Sequence, residues 1–192
     1  MAPKAREVAR MKWVTKEYVH LDRVATPWLI RRFVDRDAQF VFVAWDRQHE
    51  APADAVAFAL EGAALGPHDA AGTTFRKTLD RYGLHDPALR RMARVIDAGV
   101  RHAVHGERPA VDDTDAQIAV GLLAISEGFT VRATGDREVL DASFPVYDAL
   151  YAHFRVQAIV EAEHIVVPKP GRAGPGDKVR LLRALHARGP TS

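Results

Sequence analysis

The chain contains no cysteine. Disulfides, thiolate metal sites and thiol redox chemistry are therefore excluded together. It also lacks a long hydrophobic run, since no stretch approaches the ~20 apolar residues needed to span a bilayer. The opening MAPKAREVARMKWV is charged and has no apolar signal-peptide core. A cytoplasmic protein with no membrane partner is expected. Charge of one sign is scarce too: 27 Lys and Arg stand against 25 Asp and Glu, a net charge of +2. Attraction of the whole protein to nucleic acid does not follow from so small an excess. Gly-rich phosphate loops, a Ser-centred nucleophile elbow and flavin or nicotinamide fingerprints are missing, so neither cofactor is expected.

What is present fits one globular domain. The 192 residues are 47% hydrophobic and 27% charged, enough for a sizeable core. The organising stretch is 12–45. Residues 12–15 read as a short extended run and 39–45 as an apolar, aromatic-rich strand. Between them Thr26 suits an N-cap and Pro27 the first helical position. Leu29 with Phe33, and Ile30 with Val34, then pair at helical spacing on an inward face. Beyond this unit, 53–61 reads as a short helix stopped by Gly62, and 63–72 as a loop or short edge strand. Thr73 or Thr74 caps a helix to about Tyr82. Asp86 and Pro87 start the clearest amphipathic helix, through Leu89, Met92, Ala93, Ile96 and Val100. Residues 102–112 read as a loop. The next helix opens at Asp113 or Thr114, is apolar on most sides and therefore central, and stops at Gly128. Asp136 starts a long helical region that Pro145 should kink or split. Residues 165–167 read as a last strand and 178–187 as a short basic helix. The expected fold class is helix-rich α/β, a small sheet from the N-terminal strand–helix–strand unit packed on a helical bundle.

Two groups of residues could carry chemistry. His20, Asp22, Arg23, Trp28, Arg31 and Arg32 crowd the predicted helix start. Unpaired N–H groups, the helix dipole and arginine forks together suit a tetrahedral oxyanion. The competing reading is an Asp22–arginine salt bridge with Trp28 in the core. The second group is distributed: His68 in a Gly/Pro loop and Asp97 on the amphipathic helix. His102 and His105, Asp148 beside Tyr147, and the run Glu161, Glu163, His164 carry weaker signals and read more simply as surface or ion-paired groups.

The run Val19-His-Leu-Asp-Arg-Val-Ala-Thr-Pro-Trp-Leu-Ile-Arg-Arg-Phe33, just after Met11-Lys-Trp-Val14, resembles the chromate-resistance family, the C-terminal domain of ChrB-type proteins. The resemblance continues through His68, Thr74-Phe75, Tyr82-Gly-Leu84, Asp86-Pro-Ala-Leu89, Gly121-Leu-Leu-Ala124 and Tyr147-Asp-Ala-Leu-Tyr151. It covers roughly residues 11–155, within an expected domain over 11–168; composition sets off a charged arm, 1–10, and a basic tail rich in Gly, Pro and Arg, 169–192. The resemblance implies a divalent-metal site (Mn, Fe or Zn) using His68 and, by approximate alignment, Asp97. The chain departs from that pattern: Arg76 stands where an acid is expected, Gly99 and Val100 near another, and Thr73 replaces a cysteine. Longer members join this domain to a winged-helix-like region and act as chromate-responsive regulators. About ten residues precede the resemblance here, so direct operator binding is not expected. The leading expectation is an accessory or sensing protein of chromate resistance that binds an oxyanion, a divalent metal or both. A metal-dependent enzyme with a His/Asp site, and a DNA-associated regulator, are the alternatives. A self-contained chromate reductase is not expected, because no cysteine or flavin motif supplies electrons.

Overall fold

A computed structural model describes residues 11–169 and 174–188. The expected N-terminal arm lies outside the described residues, as do 170–173 and 189–192 of the basic tail. Three strands, β1 (Lys12–Lys16), β2 (Gln39–Val43) and β3 (Ala55–Ala57), form a parallel sheet in the order β2-β1-β3. The α-helices are α1 (Asp22–Leu29), α2 (Thr74–Arg81), α3 (Pro87–His105), α4 (Thr114–Arg132), α5 (Asp136–Ala162) and α6 (Gly176–His186). The molecule is helix-rich α/β, as its periodicities predict. Trp13, Val14 and Thr15 of the central strand are all 0% exposed, because a parallel strand is covered on both faces. Trp13 stands opposite Phe40 and Val56 in the ladder.

The segment expected as a helix over 53–61 instead supplies β3. Phe58 N–H donates to Val14 O at 3.0 Å, and the Phe58 ring packs edge-on against Phe40 at 6.3 Å. A short helix has too few internal bonds to compete with a ladder that also buries Phe58.

α1 starts at Asp22, so Thr26 is not its cap and Pro27 lies inside it. The helix start is fixed from a distance. Leu21 N–H donates to Ser126 Oγ on α4 (2.8 Å), and the Tyr147 hydroxyl on α5 donates to Leu21 O (3.1 Å). These bonds hold Leu21 at φ 43°, an unusual conformation for a non-glycine residue. Thr26 is buried and its hydroxyl donates back to Asp22 Oδ1 at 3.2 Å. Leu29 and Ile30 are core residues, while Phe33 and Val34 are partly buried in a π-turn, Ile30–Val34.

Thr73 caps α2 and Asp86 caps α3, each side chain accepting a backbone N–H in the first turn. α3 runs to His105, where Gly106 at φ 66° ends it, so the expected loop starts later. Gly128 does not stop α4, which continues to Arg132 as Phe129 packs on the core; that contact offsets the ~1 kcal/mol cost of a helical glycine. Nor is α4 central: Ile125 is 46% exposed and Val131 87%. α5 is unbroken across Pro145, which faces solvent, where water can satisfy the carbonyl that the proline leaves without a donor. Residues 165–167 form no strand. α6 docks on α5 with Leu185 buried.

Candidate functional site

In open parallel sheets, crevices for ligands form beyond the carboxyl ends of the strands, where the strand order reverses. The order β2-β1-β3 puts that point between β1 and β3. A cleft of about 280 Å³ opens there. Lys16 ends β1, Trp45 follows β2, and Ala59 and Glu61 follow β3; His20 and Leu21 come from the turn into α1, and Asp22 and Arg23 from its first turn. Pro67, His68 and Thr74 close one side, and Val100, Ala103 and Val104 of α3 the other.

The turn holding His20 is pinned. Asp136, at the start of α5, accepts the N–H groups of Tyr18 (3.0 Å) and Val19 (2.7 Å), while Ser126 and Tyr147 hold Leu21. Tyr18, Leu21 and Ala59 all have positive φ. Such strain persists only where surrounding bonds over-determine the chain, and it gathers at functional sites. Gly99 of α3 backs the same turn: a Cβ there would meet Leu21 Cδ2 at 2.9 Å.

Arg23 caps the end of β1. Its guanidinium donates to the carbonyls of Lys16 (3.1 Å), Glu17 (2.9 Å) and Tyr18 (3.0 Å), and its Cζ lies 5.0 Å from the Trp45 ring centroid. Lys16 Nζ lies 4.6 Å from the same ring. Among the described residues neither cation is paired with a carboxylate. Burial lowers the His20 pKa and the neighbouring Arg23 charge lowers it further, so its imidazole is neutral at pH 7.

Asp22 plays another part. Its carboxylate is 7% exposed and accepts Thr74 N–H and Phe75 N–H, both at 2.9 Å, as well as the Thr26 hydroxyl. It thus binds the first turn of α2 to α1. Burial raises its pKa, against the pull of those three bonds.

Of the oxyanion candidates, His20, Asp22 and Arg23 meet at the cleft, while Trp28, Arg31 and Arg32 lie elsewhere. Trp28 is buried, and its indole N–H donates to Asp148 at 2.8 Å. Arg32 grips both oxygens of Asp148, at 2.8 and 2.7 Å, which holds that carboxyl below its usual range. Arg31 donates to Ala38 O and lies over Phe40. The dense run of polar groups is thus divided among three places because α1 starts four residues before its apparent cap.

His68 joins the cleft and also borders a neighbouring hollow that holds Asp97 and His105. Asp97 is taken: Arg76 Nε (2.8 Å) and the Thr73 hydroxyl (2.8 Å) both donate to it. The arginine standing where the resemblance expects an acid is this ion-pair partner. Among the described residues no group of three or more His, Asp or Glu side chains could hold a metal ion, so the donor set does not fit one. His102 and His105 end α3 at the surface, where His102 Nδ1 lies 2.6 Å from Glu107 O. Lys16, Trp45 and Glu61 are lining residues that the sequence reading missed. Their signal is position at the end of a parallel strand.

The sequence matches the family described as "ChrB, C-terminal domain" over residues 13–154. It is 34% identical over 144 residues to "Protein ChrB" of Cupriavidus metallidurans, covering 74% of this chain and 40% of that protein. The chain therefore spans well under half the length of this relative. No solved structure matches. No helix among the described residues is long and apolar enough to cross a membrane.

Proposed function

Since the chain belongs to the ChrB C-terminal domain family, we propose that it is an accessory or sensing protein of chromate resistance that binds an oxyanion in the cleft beside β1. One observation carries this reading: Lys16 and Arg23, neither paired with a carboxylate among the described residues, share a solvent-open cleft with His20 and His68. Arg23 contributes fixed charge, because most of its donors are engaged by the end of β1. Lys16 keeps its ammonium donors, and the two imidazoles add N–H groups. Charge-assisted hydrogen bonds from such groups are the strong ones for anions. The partly enclosed setting screens them less than an open surface would.

The reading places binding without turnover in this chain. Calorimetric titration with sodium sulfate and sodium chromate at fixed ionic strength tests it. Saturable binding of both is expected. Lys16→Gln should weaken it by about tenfold, the loss of one charged donor. Binding unchanged by Lys16→Gln, or none at millimolar anion, defeats the reading.

A further inference from the structure

A bare tetrahedral ion leaves most of this cleft wet. A water molecule's share of liquid volume is about 30 Å³, so an ion displacing two or three waters fills about a fifth to a third of the space. The total is about 280 Å³. Much of the lining away from the cations is hydrocarbon. Val100, Ala103 and Val104 come from the last turns of α3, and Leu21, Ala59 and Pro67 complete the apolar lining. Val104 is 55% exposed, a large apolar side chain left in water beside a cavity. Val100 and Val104 are four residues apart and so share one helix face.

The two characters of the lining come from different elements. The cations and Trp45 stand at the ends of β1 and β2 and in the first turn of α1; the valines stand on α3. Lys16 and Arg23 are within 4.6 and 5.0 Å of the Trp45 ring centroid, which gathers positive charge beside an aromatic surface. Binding sites for small organic molecules have this composition: mostly apolar walls with a few placed polar groups.

The geometry points to an organic anion as the ligand of this cleft. Its single carboxylate, sulfonate or phosphate-monoester head is held at Lys16 and Arg23, and its apolar body lies against Val100 and Val104. This rests on the reading of the cleft as an anion site and adds the class of molecule that fills it. Glu61, which also lines the cleft, favours a ligand whose body carries a hydrogen-bond donor and disfavours a second negative head. Inorganic oxyanions occupy the head position alone and compete there. Chromate or sulfate would then report its presence by displacing the organic anion.

Titration of the full chain with benzenesulfonate, sodium sulfate and benzyl alcohol at one ionic strength tests this, read by calorimetry and tryptophan fluorescence. Benzenesulfonate should bind about tenfold or more tighter than either, since it alone uses both walls, and sulfate should displace it. Val104→Ser changes an exposed side chain, and its unfolding midpoint confirms that the fold is kept. It should cut the preference for benzenesulfonate over sulfate to about twofold and leave sulfate affinity alone. Ala103→Asn, on the same wall, should act in the same direction. Lys16→Gln should weaken both anions. Benzenesulfonate binding no tighter than sulfate, or a preference untouched by both wall variants, overturns the organic-anion assignment and leaves the anion site standing. If neither anion binds, the anion site itself is refuted and this assignment with it.

Discussion

Asp22→Asn tests how the cleft floor is built. The carboxylate puts one oxygen toward Thr74 N–H and the other toward Phe75 N–H and the Thr26 hydroxyl. Asparagine has the same shape but one acceptor. If its carbonyl takes the Phe75 side, its NH2 faces Thr74 N–H, donor against donor. A buried N–H left without an acceptor costs about 1–3 kcal/mol. Two effects oppose: the variant removes the burden of burying a charge, but it also removes a charge favoured by the N-terminus of α2. A net loss of about 1–3 kcal/mol at neutral pH is expected. Urea unfolding gives the number, with the slope expected to stay constant. The sign of the pH effect follows from the raised carboxyl pKa. A group whose folded value lies above its unfolded value contributes fully at pH below the unfolded value. That contribution is lost as pH rises through the folded value. Asparagine has no such slope, so the penalty of Asp22→Asn should shrink as pH rises. A variant as stable as the parent would refute the bridging role assigned to this carboxylate, and a penalty that grows with pH would refute the raised pKa, since the bonds to the carboxylate would then outweigh its burial.

Other outcomes are expected from neighbouring contacts. Gly99→Ala places a Cβ 2.9 Å from Leu21 Cδ2, on a side chain that is 2% exposed and pinned by two backbone bonds, so overpacking of about 1–3 kcal/mol should lower the thermal midpoint. His20 has its pKa lowered by burial and by Arg23, against smaller raising effects of the Tyr18 carbonyl, Glu127 and Asp22. Sulfate affinity should therefore rise as pH falls below the usual histidine value, while the stability this imidazole lends above its unfolded pKa is lost. Titrations at several pH values show both, and His20→Gln should flatten the affinity profile. Asp148→Ala strands the buried Trp28 N–H and frees Arg32, which should cost about 1–3 kcal/mol in urea unfolding, mostly from the indole. Sulfate affinity should not move, because neither Trp28 nor Arg32 lines the cleft. A large affinity loss in this variant would return the anion site to the arginine pair.

Sequence alone determined those elements whose signals are local. Asp86 and Pro87 start α3 because a side-chain cap and a ring-fixed φ act within one turn, and Thr73 starts α2 by its side-chain cap alone. The helix-rich α/β class follows from periodicities that short windows contain. Tertiary structure decided where α1 begins: Ser126 and Tyr147, more than a hundred residues away, pin Leu21 and overrule the Thr26–Pro27 signal. It also decided that 55–57 are a strand, since β3 exists through its pairing with β1. The site follows from both. His20, Asp22, Arg23 and His68 were legible as chemistry-bearing residues, but Lys16, Trp45 and Glu61 join them only when three parallel strands end side by side. A residue's type is written in the chain, whereas which residues share a cavity depends on long-range pairing that no local window contains.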